Sequence, residues 1–188
     1  MFPYTAGAAF VARLLEVGGG SWDVVDAALR FRPPASTEQV LHPDAYLEVE
    51  APKRVPVRAP VAALGPGWSV LHRGTLGAWV TARLLARAGG TGARAAAAGW
   101  GGDRYALLGR GRERALVARW TWDTPGDAAE FERALRAWAA EGLPGSTPAG
   151  VDLWRTRDGA AALGRRGGAI TLALAPSLAP ARRAARAD

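Results

Sequence analysis

The stretch Arg114–Trp122, RALVARWTW, alternates with a period of two and reads as a strand. Leu116, Ala118, Trp120 and Trp122 fall on one face, and Val117, Arg119, Thr121 and Asp123 on the other. Asp103 to Leu108 alternates in the same way, and Gly109-Arg110-Gly111-Arg112 between the two supplies a hairpin turn. Asp127 to Ala140 returns to helical spacing through Ala128, Phe131, Leu135 and Trp138. Thr124 or Gly126 begins that helix, and Gly142 and Pro144 end it. Val151–Arg157 and Ala169–Ala175 read as two more strands with a turn near Gly164–Gly168, followed by a helix over Ser177–Ala187. The order β-β-α-β-β-α predicts an α+β fold: a small antiparallel sheet with helices packed on one face.

The region before this sheet is helical. Phe10, Val11, Leu14 and Leu15 form one stripe of a helix over Thr5–Val17, which Gly18-Gly19-Gly20 stops. Ser21 is placed to cap a second helix through Trp22, Val25, Ala28 and Leu29, ended by Pro33-Pro34. Ser36-Thr37-Glu38-Gln39 fits a capping box, with Gln39 reaching back, and Pro43 pushes His42 out of the helical region. Pro52, Pro56, Pro60 and Pro66 predict an extended connector. Leu76, Trp79, Val80, Leu84 and the stems of Arg83 and Arg87 mark a further helix, with Gly89-Gly90 at its end. The expected divisions are a helical subdomain over residues 1–50, a connector over 51–66, a helical segment over 67–98 and a sheet subdomain over 99–188.

The chain has no cysteine, so thiolate chemistry is excluded. No apolar run is long enough for a membrane span, and the start lacks the basic n-region of a signal peptide. The net charge is +7, carried by 24 basic residues of which only Lys53 is lysine. Residues 1–99 hold ten basic and seven acidic residues, and residues 100–188 hold fourteen and ten. The excess is thus spread over both halves, which reads as a basic surface and not as a nucleic-acid patch. The eight tryptophans sit mostly where periodicity predicts a buried face, with Trp68 and Trp100, each beside glycine, as the exposed candidates.

His42 and His72 are the only histidines, and neither has a second at helical spacing. A zinc helix needs two imidazoles one turn apart with a glutamate as base. Glu38, one turn before His42, adds one carboxylate, so no complete metal site and no cofactor are expected. Gly99-Trp100-Gly101-Gly102-Asp103 precedes a strand, whereas a phosphate loop follows one. Asp123 and Asp127 flank a strand-to-helix junction and read as caps.

Tyr4-x-x-Gly7-x-x-Phe10-Val11, with Leu14 and a Gly-Gly before Ser21-Trp22, resembles the helix downstream of the zinc site in gluzincin-type metallopeptidases. Pro33-Pro34-Ala35-Ser36-Thr37-Glu38-Gln39-Val40-Leu41-His42-Pro43 with Tyr46 resembles a hallmark of one such group of bacterial and archaeal proteins, secreted or lipid-anchored, with an upstream His-Glu-x-x-His helix. Gly99–Arg104 and Trp122-Asp123-Thr124-x-x-Asp127-Ala128-x-x-Phe131 are similar to that group's C-terminal half. The His-Glu-x-x-His element itself is not in this sequence. The resemblance therefore implies the C-terminal portion, or a non-catalytic relative, of a metallopeptidase-like envelope protein, acting as a scaffold or substrate-docking module. Two alternatives stand beside it. An upstream segment or partner chain would supply the zinc helix, with His42, Glu38 and Tyr46 lining the cleft. Or Arg110, Arg112, Arg114, Arg165 and Arg166 would bind a polyanion.

Overall fold

The structure is a computed structural model that describes residues 2–87 and 92–187. The expected helix stop at Gly89-Gly90 lies outside the described residues. The chain divides into two compact units, Met1–Pro52 with Gly77–Trp79, and Lys53–Leu76 with Val80–Asp188. Among the described residues no helix is long and apolar enough to cross a membrane.

The first unit is helical: α1 (Phe2–Val17), α2 (Asp23–Phe31), α3 (Thr37–Leu41) and α4 (Pro43–Leu47). Its core is Phe10, Leu14, Val25, Ala28 and Tyr46. Gly18 ends α1 where a Cβ would press on Val24 at 2.7 Å, and Gly19 follows at a φ of 62°. Ser21 Oγ accepts the Asp23 N–H at 3.1 Å, but the residue at the N-cap of α2 is Trp22 and not the expected Ser21, and it makes no side-chain cap bond. Trp22 is already helical and stands exposed, as does Leu29. Only Val25 and Ala28 of the expected stripe are buried on α2. His42 leaves the helical region at φ −127°, ψ 81°, the restriction that a following proline imposes.

The second unit is built on a seven-stranded, wholly antiparallel sheet in the order β1-β2-β3-β7-β6-β5-β4. Its strands are β1 (Ser69–Gly74), β2 (Trp100–Arg110), β3 (Glu113–Trp122), β4 (Thr147–Gly150), β5 (Leu153–Thr156), β6 (Gly159–Arg166) and β7 (Ala169–Ala175). The helices are α5 (Arg58–Ala62), α6 (Gly77–Ala86), whose first three residues belong to the first unit, α7 (Pro125–Ala137) and α8 (Leu178–Arg186). The α+β class with N-terminal helices and an antiparallel sheet is as expected. The sheet is larger than expected because Ser69–Gly74, Thr147–Gly150 and Gly159–Arg166 are strands as well, and the expected extended connector contains a helix, α5. Pro60 is compatible with α5 because it sits in the first turn, where its missing N–H has no helical partner.

Helices also cover both faces, not one, for a reason visible in β3. Ala115 and Val117 share a face with Ala106, Ala160, Ala162 and Ala173, and Ala181, Ala184 and Ala185 of α8 pack on it. Gly164 lets the Ala185 carbonyl reach the sheet, since a Cβ there would overlap it. The opposite face carries Trp120 and Trp122, whose rings lie 5.2 and 4.4 Å from Phe131 of α7. There the Trp120 indole donates to Thr81 Oγ1 of α6 at 3.1 Å.

Thr124 opens α7 with a reciprocal capping box to Asp127. Arg136 of α7 bonds Asp152 at 2.6 Å and Glu132 at 3.0 Å, and its pKa is raised chiefly by the Asp152 bond.

Two glycine substitutions test this packing by urea unfolding. Gly164→Ala is expected to destabilise by about 1–3 kcal/mol, because α8 must back away from the sheet. Gly7→Ala on α1, where nothing lies within 4 Å of the new methyl, is expected to stabilise by about 0.5–1 kcal/mol.

Candidate functional site

The Ser36–Tyr46 motif is assembled within the first unit, and most of its polar side chains hold backbone. Ser36 Oγ accepts the Gln39 N–H at 3.2 Å and caps α3. Thr37 Oγ1 accepts the Trp79 N–H at 3.2 Å, in the first turn of α6. Gly77, at φ 75°, makes room for that contact, since a Cβ would sit 2.5 Å from Thr37 Oγ1. Gln39 reaches back one residue further than a capping box requires: its Oε1 accepts the Ala35 N–H at 2.7 Å, not that of Ser36. Its Nε2 donates to the Glu50 carbonyl at 2.6 Å. Tyr46 donates to the Arg32 carbonyl at 2.8 Å, with Phe10 edge-on to its ring and the Arg32 guanidinium 4.3 Å from the ring centre.

Glu38 is buried, and its carbonyl accepts the His42 N–H at 2.7 Å. The His42 side chain is only partly covered. His72 lies in the second unit, on β1, tilted against Tyr105 with ring centres 5.7 Å apart. Among the described residues no group of three or more histidine, aspartate and glutamate side chains is placed to hold a metal ion.

A second constellation joins the two other motifs, both in the second unit. Lys53 donates from its backbone to the Gly101 carbonyl at 2.6 Å. Its Nζ donates to the Trp122 carbonyl at 2.8 Å and to Asp123 at 2.7 Å. Gly101 and Gly102 are therefore where Lys53 lies against the sheet; a Cβ on Gly102 would strike the Lys53 carbonyl. Gly99, at φ 69°, likewise makes room for Asp127. Asp103 is buried, with one oxygen accepting the Trp100 indole N–H at 3.0 Å and the other the Leu76 N–H at 2.7 Å. Trp100 is thus fully buried and not one of the exposed tryptophans. The single lysine among arginines is the one sequence signal for Lys53. Nothing in the alternation distinguishes Asp103.

The five arginines are not brought together. The β2–β3 turn lies at one end of β3 and the β6–β7 turn at the other. Arg110 stacks on Trp68 at 4.7 Å and pairs with Glu113, and Arg114 donates to the Gly111 and Glu113 carbonyls. Arg165 pairs with Glu132 at 3.1 Å, and Arg166 follows on the opposite face of β6. Arg112 and Arg114 do border a common groove of about 490 Å³, with Leu107, Leu116, Leu143 and Leu174 among its apolar lining. This groove occupies the end of the tryptophan face nearest the hairpin.

Gln39→Ala is expected to destabilise by about 1–3 kcal/mol, because it strands the Ala35 N–H and the Glu50 carbonyl. His42→Ala is expected to stay within about 0.5 kcal/mol, as for an ordinary surface position. Equal losses in denaturant titrations would contradict this division of roles.

No curated protein matches the chain. No solved structure matches it either. A family profile described as "Domain of unknown function (DUF8575)" matches residues 69–185, which run from β1 into α8 and leave the Ser36–Tyr46 motif outside. Because that match covers well over half of the chain, the protein belongs to the DUF8575 family.

Proposed function

We propose that the chain is a non-catalytic docking or scaffold module of a metallopeptidase-like envelope protein. The observation that carries this reading is how the motif's side chains are used. Ser36, Thr37, Gln39 and Tyr46 each bond backbone. Such a motif shapes a surface; a hydrolytic centre needs a base and an electrophile converging on one point. The helical unit also presents large apolar side chains to solvent. Tyr4 and Phe31 are each 82% exposed, and Trp22 and Leu29 of the same unit are exposed as well. Exposed aromatics in such numbers are what a partner polypeptide would cover. In the second unit, the groove offers an apolar floor with Arg112, Arg114, Glu113 and Asp158 around it, suited to an apolar peptide segment with polar or mixed-charge flanks.

One observation favours the enzymatic alternative enough to name it. His42 keeps part of its surface open to solvent, one turn after the buried Glu38, and would be available to a zinc-bearing helix supplied by another segment.

Elemental analysis of the purified chain after incubation with zinc and dialysis separates these readings. The docking module is expected to retain only substoichiometric zinc and to leave peptides uncleaved. One tightly held zinc per chain, or peptide cleavage by the chain alone, would contradict it.

A further inference from the structure

Arg119 stands in the middle of β3 with 7% of its surface exposed. Its Nε is buried without a hydrogen-bond partner, and among the described residues no ion pair or hydrogen bond involves its guanidinium. The Nε–H is enclosed without a partner, and shutting a polar N–H away from water in this way is costly. Buried polar groups in folded proteins have partners as a rule, so an orphan of this kind calls for one.

Its surroundings indicate what the partner is. Arg104 of β2 and Thr171 of β7 flank Arg119 in register, and Gly164 of β6 continues the row. Thr171 is itself 3% exposed. On one side of the row the backbone of Lys53 lies on Gly102, and Val57 joins the core with Ala106 and Val117. On the other side the Ala185 carbonyl meets Gly164. Neither covering element brings an acidic side chain: residues 53–57 are KRVPV, and α8 is LAPARRAAR. The C-terminal end of α8 contributes partial negative charge to the row. It leaves the Arg119 Nε–H unsatisfied all the same.

We propose that Arg119, with Arg104 and Thr171 beside it, forms a binding site for a small oxyanion of the phosphate class. Two guanidinium groups and a hydroxyl on three adjacent strands supply donors from several directions, which suits a tetrahedral anion. A planar carboxylate is satisfied by one arginine fork. The site lies on the alanine face of the sheet, opposite the groove, so its failure would leave the docking reading intact.

The test uses the full chain, labelled with ¹⁵N, and follows the Arg119 Nε–Hε resonance, assigned by its loss in Arg119→Lys. Inorganic phosphate is expected to move that resonance saturably, while chloride at equal ionic strength does not. Arg104→Gln is expected to weaken phosphate binding about tenfold, the effect of losing one charge-assisted bond. Arg119→Met is expected to abolish saturable binding while its circular dichroism stays that of the parent. Should that variant not fold, the parent resonance and Arg104→Gln decide. A resonance indifferent to phosphate, equally responsive to chloride, or saturated more tightly by succinate would overturn the assignment.

Discussion

The sheet of the second unit depends on a difference in side-chain size between its two faces. One face is floored by alanines and a glycine, so α8 settles with a carbonyl almost on the strand backbone. The other carries Trp120 and Trp122, which hold α7 away through Phe131, and Trp120 bonds α6 through Thr81. Both surfaces carry packed helices, yet by opposite means: close backbone approach on one, large aromatic area on the other. A one-residue slip of β3 would put Arg119 or Thr121 where Trp120 packs and turn the tryptophans onto the face that α8 covers. Register and layer order are thereby fixed together.

That arrangement also decides which motif residues are available for chemistry. The glycines of Gly99–Gly102 clear space for Asp127 and Lys53, and Asp103 closes the corner between β1, β2 and the residue before α6. Trp122 and Asp123 hold the same lysine. Residues that look like the elements of an active centre are thus engaged in joining the Lys53 segment, β2 and α7. The surfaces left over are the groove beside the hairpin, the apolar side chains of the helical unit and the row through Arg119. We propose all three as binding surfaces, and on that basis we read the chain as a docking module.

Much of this is legible from residue order. Alternation over Arg114–Trp122 and the helical spacing around Phe131 are strong local signals, and both elements form where expected. Ser36 and Thr124 cap as their positions imply. What stays hidden is nonlocal. β1 has an exposed pattern with no alternation to mark it, because an edge strand buries little. Alternation shows that β3 has two faces but not that alanine on one of them invites a helix, so the two-sided covering departs from the single-sided packing that the element order suggests. The alternation places Arg119 on the correct face, yet its burial depends on residues 53–57 and on α8, far away in sequence. The partners of Gln39 and Thr37 likewise lie eleven and forty-two residues on.

Native-state hydrogen exchange tests the size asymmetry most directly, because it reads which elements open together. If close alanine packing seals the sheet, the amides of α8, β6 and β7 exchange with one common free energy, equal to that of global unfolding. Exchange of α8 through a separate opening of lower free energy, with β6 and β7 still fully protected, would contradict the account.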